Sequence, residues 1–178
     1  YDRSIFLTLG TGIGGAVIIH NELLHTGELP GCEFGHMLIE KNGNLCKCGK
    51  RGCWETYASM KAFKDNLREI LNLDERTSGK ELLDMLRKMD KNNPKYIQTN
   101  KLVEQYIEYL SIGISNLINI FEPEAIGIGG SFVFYEEVFL DKQKTKLLKD
   151  NLLFNERKEI NIQTAILDND AGMIGAIL

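Results

Sequence analysis

A short cysteine-rich segment constrains this chain more than any other part of its sequence. Cys46, Cys48 and Cys53 form a C-x-C-x4-C pattern with glycines inside the turn, and His36 lies ten residues upstream of Cys46. Three thiolates and one imidazole make a complete tetrahedral zinc set with no position left for water. Because such closed sites are usually structural, the pattern predicts a zinc ion that organises the local backbone, and the chemistry is expected in the residues around it.

The cysteines alone leave a second interpretation open. Two disulfides in a secreted domain would also use all four cysteines, the fourth being Cys32. We favour metal binding because Cys46 and Cys48 are too close to pair usefully with each other and because no signal peptide precedes the first predicted strand. We therefore expect a cytoplasmic, metal-binding protein.

Length and charge narrow the class of protein further. The 178 residues suffice for one domain of ordinary size, which can bury a core without help from a metal. The formal net charge of −4 argues against a nucleic-acid-binding surface in this segment. No apolar run reaches the roughly 20 residues that span a bilayer. We expect neither nucleic acid nor a membrane as a partner of this segment.

Hydrophobic periodicity predicts an α/β domain with a mixed sheet. Short apolar runs predict strands, and apolar residues at spacings of three and four predict helices. The predicted strands cover 4–9, 16–19, 23–24, 37–40, 125–128 and 160–164. The predicted helices cover 55–71, 80–88, 96–121, 133–140 and 170–178. This order indicates a single domain over 1–178, with a zinc-binding excursion at about 32–55.

The first of two glycine-rich turns follows the first predicted strand and has the sequence Gly10-Thr11-Gly12-Ile13-Gly14-Gly15. It is not a Walker A loop, and it is not a dinucleotide fingerprint, because a strand follows it. Its backbone N–H groups can still converge on a phosphate, and Thr11 adds a hydroxyl donor. The alternative is a hairpin turn that needs glycine for positive φ.

The second turn, Gly129-Gly130-Ser131, lies between a predicted strand and a predicted helix. In open α/β sheets, ligands bind at this kind of position. The alternative is a tight strand-to-helix connection that binds nothing. Two such turns, each after a buried strand, together favour a nucleotide-binding site.

Two carboxylates lie close in sequence to the predicted metal ligands. Glu33 precedes His36 by three residues, and Glu55 follows Cys53 by two. Carboxylates held rigidly are good acceptors for sugar hydroxyls, because they form short, directional hydrogen bonds. A His36 ring that binds zinc through one nitrogen would leave its other N–H as an outward donor. Either glutamate alone would ordinarily be a surface residue, but both share a tether to the metal.

These motifs resemble those of the ROK family, which contains bacterial glucokinase-like sugar kinases and sugar-responsive repressors. The similar segments follow one another in the same order along nearly the whole chain. They are Leu9-Gly-Thr-Gly-Ile-Gly-Gly15, Glu33-Phe-Gly-His-Met37, Cys46-Lys-Cys-Gly-Lys-Arg-Gly-Cys-Trp-Glu55 with Ser59, Ile128-Gly-Gly-Ser131 and Asp170-Ala-Gly-Met-Ile-Gly-Ala176. The zinc segment is the most specific of them.

The resemblance implies a two-lobe, actin-like ATPase (ribonuclease H-like) fold, of which this chain would be the C-terminal lobe. By position, His36, Cys46, Cys48 and Cys53 match the family's zinc ligands, and Glu33, His36 and Glu55 match its sugar-binding residues. Gly10, Thr11 and Gly12 match its second phosphate loop, and Gly129 and Gly130 match its adenosine turn. The implied partners are a sugar, ATP with Mg²⁺, the first lobe and a second copy of the chain in a homodimer.

Two departures from the family pattern matter. Cys32 stands where the family usually has glycine, and an all-cysteine site that uses Cys32 and leaves His36 free is an alternative. The family's catalytic Asp and first phosphate motif belong to the other lobe, so no catalytic residue is predicted within this fragment. Asp168 and Asp170 could replace that Asp, but helix capping explains both.

The resemblance thus implies an ATP-dependent kinase that phosphorylates a hydroxyl of a hexose or N-acetylhexosamine. This chain would be a fragment of that kinase, and we expect the fragment alone to be inactive. The alternative is the effector-binding domain of a sugar-responsive repressor. A zinc-stabilised interaction domain without a ligand is a third possibility. The sequence upstream of this chain would separate the first two.

Overall fold

The computed structural model describes residues 1–25, 27, 32–149 and 160–165, with side chains through residue 147 in the last helix. Five strands occur in these residues, namely β1 (Arg3–Leu9), β2 (Ile13–Ile19), β3 (Glu22–Leu23), β4 (Ala125–Gly129) and β5 (Asn161–Thr164). The helices are α1 (Glu55–Ala58), α2 (Met60–Leu71), α3 (Gly79–Lys88), α4 (Tyr96–Phe121) and α5 (Glu136–Lys149). Two 3-10 turns cover Phe34–His36 and Gly130–Tyr135.

The strands form one mixed sheet in the order β3-β2-β1-β4-β5. The β2 strand pairs antiparallel with both β1 and β3, whereas β4 is parallel to both β1 and β5. In this register Thr8 at the end of β1 lies opposite Gly129 at the end of β4. Because parallel strands end at the same edge, both glycine turns lie at one edge of the sheet.

One face of the sheet packs against the long helix α4. Ile5, Leu7 and Leu9 alternate along β1 with more exposed residues and are fully buried, as expected for a strand with one face in the core. Along α4, Tyr106, Leu110, Ile114 and Leu117 are buried at helical spacing. The sequence prediction of an α/β lobe built on a mixed sheet is therefore confirmed by the arrangement of these elements.

The predicted helix over 55–71 is in fact two helices separated at Ser59. Ser59 adopts an extended conformation with ψ of 152°, and its Oγ accepts a hydrogen bond from the Ala62 backbone N–H at 3.1 Å. Serine is a strong N-cap, so α2 begins anew after it. The break leaves Glu55 as the first residue of the short helix α1.

Two further predicted boundaries were wrong. Residues 37–40 do not form a strand: Leu38 makes one isolated antiparallel bridge with Cys53. The helix predicted over 133–140 begins as the 3-10 turn and becomes α-helical only at Glu136. The helix predicted at 170–178, together with Asp168 and Asp170, lies outside the described residues. Among those residues, no helix combines the length and apolar character needed to cross a membrane.

Candidate metal and ligand site

The four predicted metal ligands come together in space. One donor atom from each of His36, Cys46, Cys48 and Cys53 lies within 4.8 Å of all the others. Cys46 Sγ lies 3.6 Å from His36 Nδ1, and Cys48 Sγ lies 3.6 Å from Cys53 Sγ. Two thiolates bound tetrahedrally to one zinc ion at about 2.3 Å would lie about 3.8 Å apart. The donor types and their spacing therefore fit zinc.

This geometry supports neither the disulfide alternative nor the all-cysteine metal site that would use Cys32. All four cysteines are free thiols, and the Cys48 to Cys53 separation far exceeds the roughly 2.05 Å of a disulfide bond. Cys32 lies outside the cluster, and its backbone N–H donates to Gly15 O at 3.1 Å. Within the described residues, the compact donor set contains the imidazole and excludes the fourth cysteine.

Glycine and backbone hydrogen bonds shape the loop that carries the thiols. The Cys46 N–H donates to Lys50 O at 2.8 Å, and the Gly49 N–H donates to Cys46 O at 2.9 Å. Gly49 has φ of 88°, which favours glycine because it lacks a Cβ. Gly52 has φ of 86°, and a Cβ there would also collide with the backbone of Glu40.

The side chain that follows the last thiol anchors this loop to the core. Trp54 is fully buried, and its Nε1 donates to Tyr109 O in α4 at 2.8 Å. Its indole ring lies directly against Gly113, where a Cβ would overlap the ring. The anchored loop thus holds its shape partly through α4.

Burial changes the acidity of the thiols. It raises the pKa of the Cys53 thiol to about 12 and also raises the pKa of Cys46. The pKa of Cys48 is lowered, chiefly because the Lys50 backbone N–H donates to it. A metal ion that binds here must therefore displace protons from at least the two buried thiols.

Glu55 lies between the thiol cluster and the first glycine turn. Its Oε1 is 3.5 Å from Cys46 Sγ and 3.8 Å from Lys47 Nζ, and only 12% of its side chain is exposed. Its Oε2 faces Gly12, where an ideal Cβ would lie 2.5 Å away. The structure thus places one predicted sugar-binding carboxylate in contact with the predicted phosphate loop.

The other two predicted sugar-binding residues flank the same cluster. His36 Nε2 lies 3.9 Å from Glu33 Oε2, on the ring edge opposite Nδ1, which faces Cys46. Glu33 is 66% exposed, so this carboxylate is free to accept hydrogen bonds from a ligand. His36 and Glu55 each contact Cys46 of the thiol cluster, and Glu33 lies beside His36. That these three residues bind a sugar remains a prediction.

Positive φ does not account for the first glycine turn. Among the glycines with described backbone, positive φ occurs at Gly27, Gly49, Gly52 and Gly130 and not at Gly10 or Gly12. Among residues 1–25, 27, 32–149 and 160–165, nothing but the chain neighbours of Gly10 would lie within 4 Å of a Cβ at that position, and Thr11 is exposed beside it. Within the turn the Gly10 N–H donates to Gly12 O at 3.0 Å, and Gly10 O accepts from the Lys61 N–H at 3.0 Å.

The second glycine turn is a tight connection between β4 and the 3-10 turn that follows it. Gly130 has φ of 76°, and a Cβ there would lie 2.7 Å from Leu9 O. This close approach brings Gly129 and Gly130 beside the end of β1. The two turns are therefore neighbours at the sheet edge, although they are far apart in sequence.

Lys47 is the site residue that the sequence interpretation missed. Its Nζ is the cation nearest Glu55 among the ion pairs of the described residues. Its place between two metal ligands, Cys46 and Cys48, puts its backbone at the site, but the sequence does not give the direction of its side chain. Lys61 was also missed, because the contact of its backbone N–H with Gly10 O depends on how α2 packs against the hairpin.

The fold and the paired glycine turns define an actin-like ATPase lobe, as the sequence predicted. The model of the ROK family matches residues 1–178, so the chain belongs to the ROK family. A glucokinase from Thermotoga maritima is 31% identical over 188 residues, which cover 99% of this chain and 57% of the glucokinase. A xylose repressor from Bacillus subtilis is 32% identical over 147 residues, covering 83% of this chain and 36% of the repressor.

A solved structure shows the same arrangement of elements. The ROK family glucokinase from Streptomyces griseus, in complex with glucose and AMPPNP, matches with a TM-score of 0.78 at 28% identity. The match covers 99% of this chain and 59% of the glucokinase. The chain thus spans little more than half the length of these glucokinases, and the relatives include both kinases and repressors.

Proposed function

We propose that this chain is the C-terminal lobe of a two-lobe sugar kinase that transfers the γ-phosphate of ATP to a hydroxyl of a hexose or N-acetylhexosamine. The observation that carries the proposal is the contact between Glu55 and Gly12. It joins a carboxylate suited to sugar hydroxyls to a glycine turn suited to phosphate. A kinase needs these two functions side by side, because the attacking hydroxyl must meet the γ-phosphate.

In this proposal each group of residues has a separate role. Glu33, His36 and Glu55 hold the ring hydroxyls. Gly10, Thr11 and Gly12 hold phosphate oxygens, which are neutralised further by the Mg²⁺ that accompanies ATP. Gly129 and Gly130 provide the turn for the adenosine. The Asp that accepts the proton of the attacking hydroxyl comes from the first lobe.

The metal has a structural role in this proposal. His36, Cys46, Cys48 and Cys53 would hold zinc, with His36 bound through Nδ1 because that nitrogen faces Cys46. His36 Nε2 would then keep its proton and donate outward near Glu33. A closed four-ligand zinc site fixes ligand loops and leaves no position for a reacting water. It would hold residues 32–55 in the shape that presents both carboxylates.

The test is a phosphoryl-transfer assay on the intact protein, meaning this chain with the first lobe that we propose. D-glucose, N-acetyl-D-mannosamine and N-acetyl-D-glucosamine are offered with Mg-ATP, and ADP release and sugar phosphate are measured. We expect turnover with at least one sugar and a loss of two or more orders of magnitude in kcat/KM for Glu55→Gln, since a buried charge-assisted hydrogen bond is lost. The matched control is Glu40→Gln, an exposed glutamate of the same excursion. No turnover with any sugar, or equal activity in both variants, would overturn the proposal.

The similarity to xylose repressors supports a second candidate, an effector-binding lobe of a transcriptional repressor. The same three polar residues would then bind a sugar whose occupancy controls DNA binding by a module elsewhere in the protein. Binding of the intact protein to DNA upstream of sugar-utilisation genes, released by D-xylose and unaccompanied by ADP formation, would establish this alternative.

A further inference from the structure

The carboxylate of Glu55 is enclosed on several sides by groups from different parts of the chain. Cys46 Sγ and Lys47 Nζ lie 3.5 and 3.8 Å from Oε1. Gly35 lies beside the Glu55 Cβ, where an added methyl would be 3.2 Å away. Gly12 lies against Oε2, where an ideal Cβ would be 2.5 Å away. The position of this carboxylate is therefore set by steric limits as well as by charge.

The limit imposed at Gly12 differs in kind from the others. A Cβ at Gly12 would lie 2.5 Å from Glu55 Oε2 and 3.6 Å from its Cδ, and apart from the two chain neighbours of Gly12 no other atom of the described residues comes within 4 Å. The obstacle is the far end of a flexible side chain, so an alanine could be accommodated by moving the carboxylate. Because φ at Gly12 is not positive, the backbone would not be strained. At Gly35, in contrast, a Cβ would lie 2.5 Å from the backbone oxygen of Ile13, which cannot move independently.

We propose that Gly12 is a positioning residue for Glu55, so that a glycine in the phosphate turn determines how tightly the sugar is held. The missing side chain at Gly12 leaves the space that Oε2 occupies, and any Cβ there would push the carboxylate out of its position. This inference rests on the proposed function, because it assigns Gly12 an effect on the sugar that Glu55 holds. It goes beyond that function because it gives Gly12 an influence on sugar affinity that does not depend on any contact with phosphate.

The consequence is a distinctive pattern of binding. A glycine that served only to let phosphate approach would change affinity for ATP when replaced by alanine. Displacement of the Glu55 carboxylate instead lowers the affinity for the sugar, even when no nucleotide is present. The thermal stability should change little, since only the end of one flexible side chain moves.

The test measures binding of D-glucose and N-acetyl-D-mannosamine to the intact protein by calorimetry without nucleotide, and of AMPPNP without sugar. For Gly12→Ala we expect sugar affinity to fall about tenfold or more, because a hydrogen bond to a charged group is misplaced, and AMPPNP affinity to fall by a smaller factor. The matched control is Gly14→Ala, two residues along the same hairpin, where a Cβ would meet only Thr8 Oγ1 at 3.0 Å. Gly14→Ala should bind the sugars as the unsubstituted protein does.

A second variant keeps the test independent of any general damage to the turn. Glu55→Asp shortens the side chain by one methylene and withdraws the carboxylate from position 12. Alone it should weaken sugar binding, but combined with Gly12→Ala it should bind sugar better than Gly12→Ala alone, since the collision is removed. Additive losses, or equal sugar affinity for Gly12→Ala and the unsubstituted protein, would overturn the inference.

Failure of the proposed function would be distinguishable from failure of this inference. If the unsubstituted protein binds neither sugar and turns over none of the three sugars in the phosphoryl-transfer assay, both are overturned. If it binds sugar and Glu55→Gln abolishes that binding while Gly12→Ala does not alter it, the proposed function stands and the positioning role of Gly12 is wrong.

Discussion

The proposed metal ligands differ in how far they are buried. Cys46 and Cys53 are buried, and burial raises the pKa of both thiols, whereas Cys48 is exposed and its pKa is lowered by the Lys50 N–H. Replacing a buried thiol would alter packing and ligation together. Replacing the exposed thiol isolates the loss of a ligand, so Cys48 is the informative position.

We expect Cys48→Ser to lower zinc affinity by more than the roughly 10–100-fold that loss of an outer-shell partner costs. Zinc content per chain and competition with a chelator measure this change. Cys32→Ser is the matched control, because Cys32 lies outside the donor cluster. Stoichiometric zinc retained equally by both variants would contradict the assigned ligand set.

Individual residues show which parts of the candidate site could be predicted from the sequence. The spacing of the three cysteines and His36 sufficed to predict their convergence, because the turn between them is short. The contact of Glu55 with Gly12 was beyond sequence reasoning, since it depends on how the excursion folds back onto the hairpin. The choice between Cys32 and His36 also needed the tertiary arrangement.

The loop that carries the three thiols, residues 46–53, is anchored mainly to helix α4. Gly113 in that helix lies against the indole ring of Trp54, which directly follows the ligand Cys53. Glycine inside a helix ordinarily costs about 1 kcal/mol relative to alanine. Its presence here is explained by the close approach of the ring.

For Gly113→Ala we therefore expect destabilisation, by about 1–3 kcal/mol, in the opposite direction to its helix propensity, because the added methyl overpacks the core at Trp54. Gly79→Ala is the control at the first residue of α3, where a Cβ would meet the Lys64 side chain at an ordinary 3.4 Å. Chemical denaturation should show a lower free energy of unfolding for Gly113→Ala alone. A stabilised Gly113→Ala would show that the ring can move aside.

Hydrogen bonds at the start of α3 make the stability of the fold depend on pH. Ser78 Oγ accepts from the Glu81 N–H at 3.2 Å, and Glu81 Oε2 accepts from the Ser78 N–H at 2.7 Å. The Ser78 hydroxyl also donates to Glu81 Oε2 at 2.7 Å. This hydrogen bond is the main cause of the lowered pKa of Glu81, and the bond from the Ser78 N–H lowers it further. A folded-state pKa below the unfolded value contributes stability above the unfolded pKa, and this contribution is lost as pH falls through the folded pKa.

Ser78→Ala should therefore destabilise the protein by about 1 kcal/mol at pH 7, and the difference from the unsubstituted protein should shrink as the pH falls below 4. Urea denaturation at several pH values measures both effects. Ser78→Thr, which keeps the hydroxyl, should restore most of the loss. A difference in stability that is independent of pH would mean that Glu81 does not take part.

Element boundaries show where periodicity stops being informative. The long helix at Tyr96–Phe121 was predicted at its observed bounds, because its apolar stripe is long and Pro123 follows its end. The helix predicted over 55–71 hid a break, because Ser59 interrupts the backbone without interrupting the apolar pattern. The strand predicted at 37–40 failed because only Leu38 finds a pairing partner, Cys53.

At the scale of the whole molecule, the sheet edge brings together residues from opposite ends of the chain. Gly130 lies against Leu9 O, while Glu55 reaches Gly12 from the metal excursion. The proposed reaction also needs a proton acceptor, which we assign to the first lobe. In the proposed function, the described residues therefore bind the ligands, and the first lobe completes the catalytic set.

We expect purified residues 1–178 to transfer no phosphate from ATP to any hexose, whereas the intact protein does. The reason is that positioning without a base leaves the attacking hydroxyl protonated. Coupled ADP detection with both preparations at equal concentration measures this difference, and restored turnover on adding the first lobe as a separate chain would be a positive control. Sugar-dependent turnover by residues 1–178 alone would place the base in this lobe.

Residues 1–178 contain a single tryptophan, Trp54, which follows the proposed metal ligand Cys53, is fully buried and is hydrogen bonded to α4. Its intrinsic fluorescence therefore reports on this loop without any label. Withdrawal of the ion should shift its emission to longer wavelength as the indole meets water. The protein thus carries a built-in optical probe, by which loosening of the loop can be timed against loss of sugar affinity.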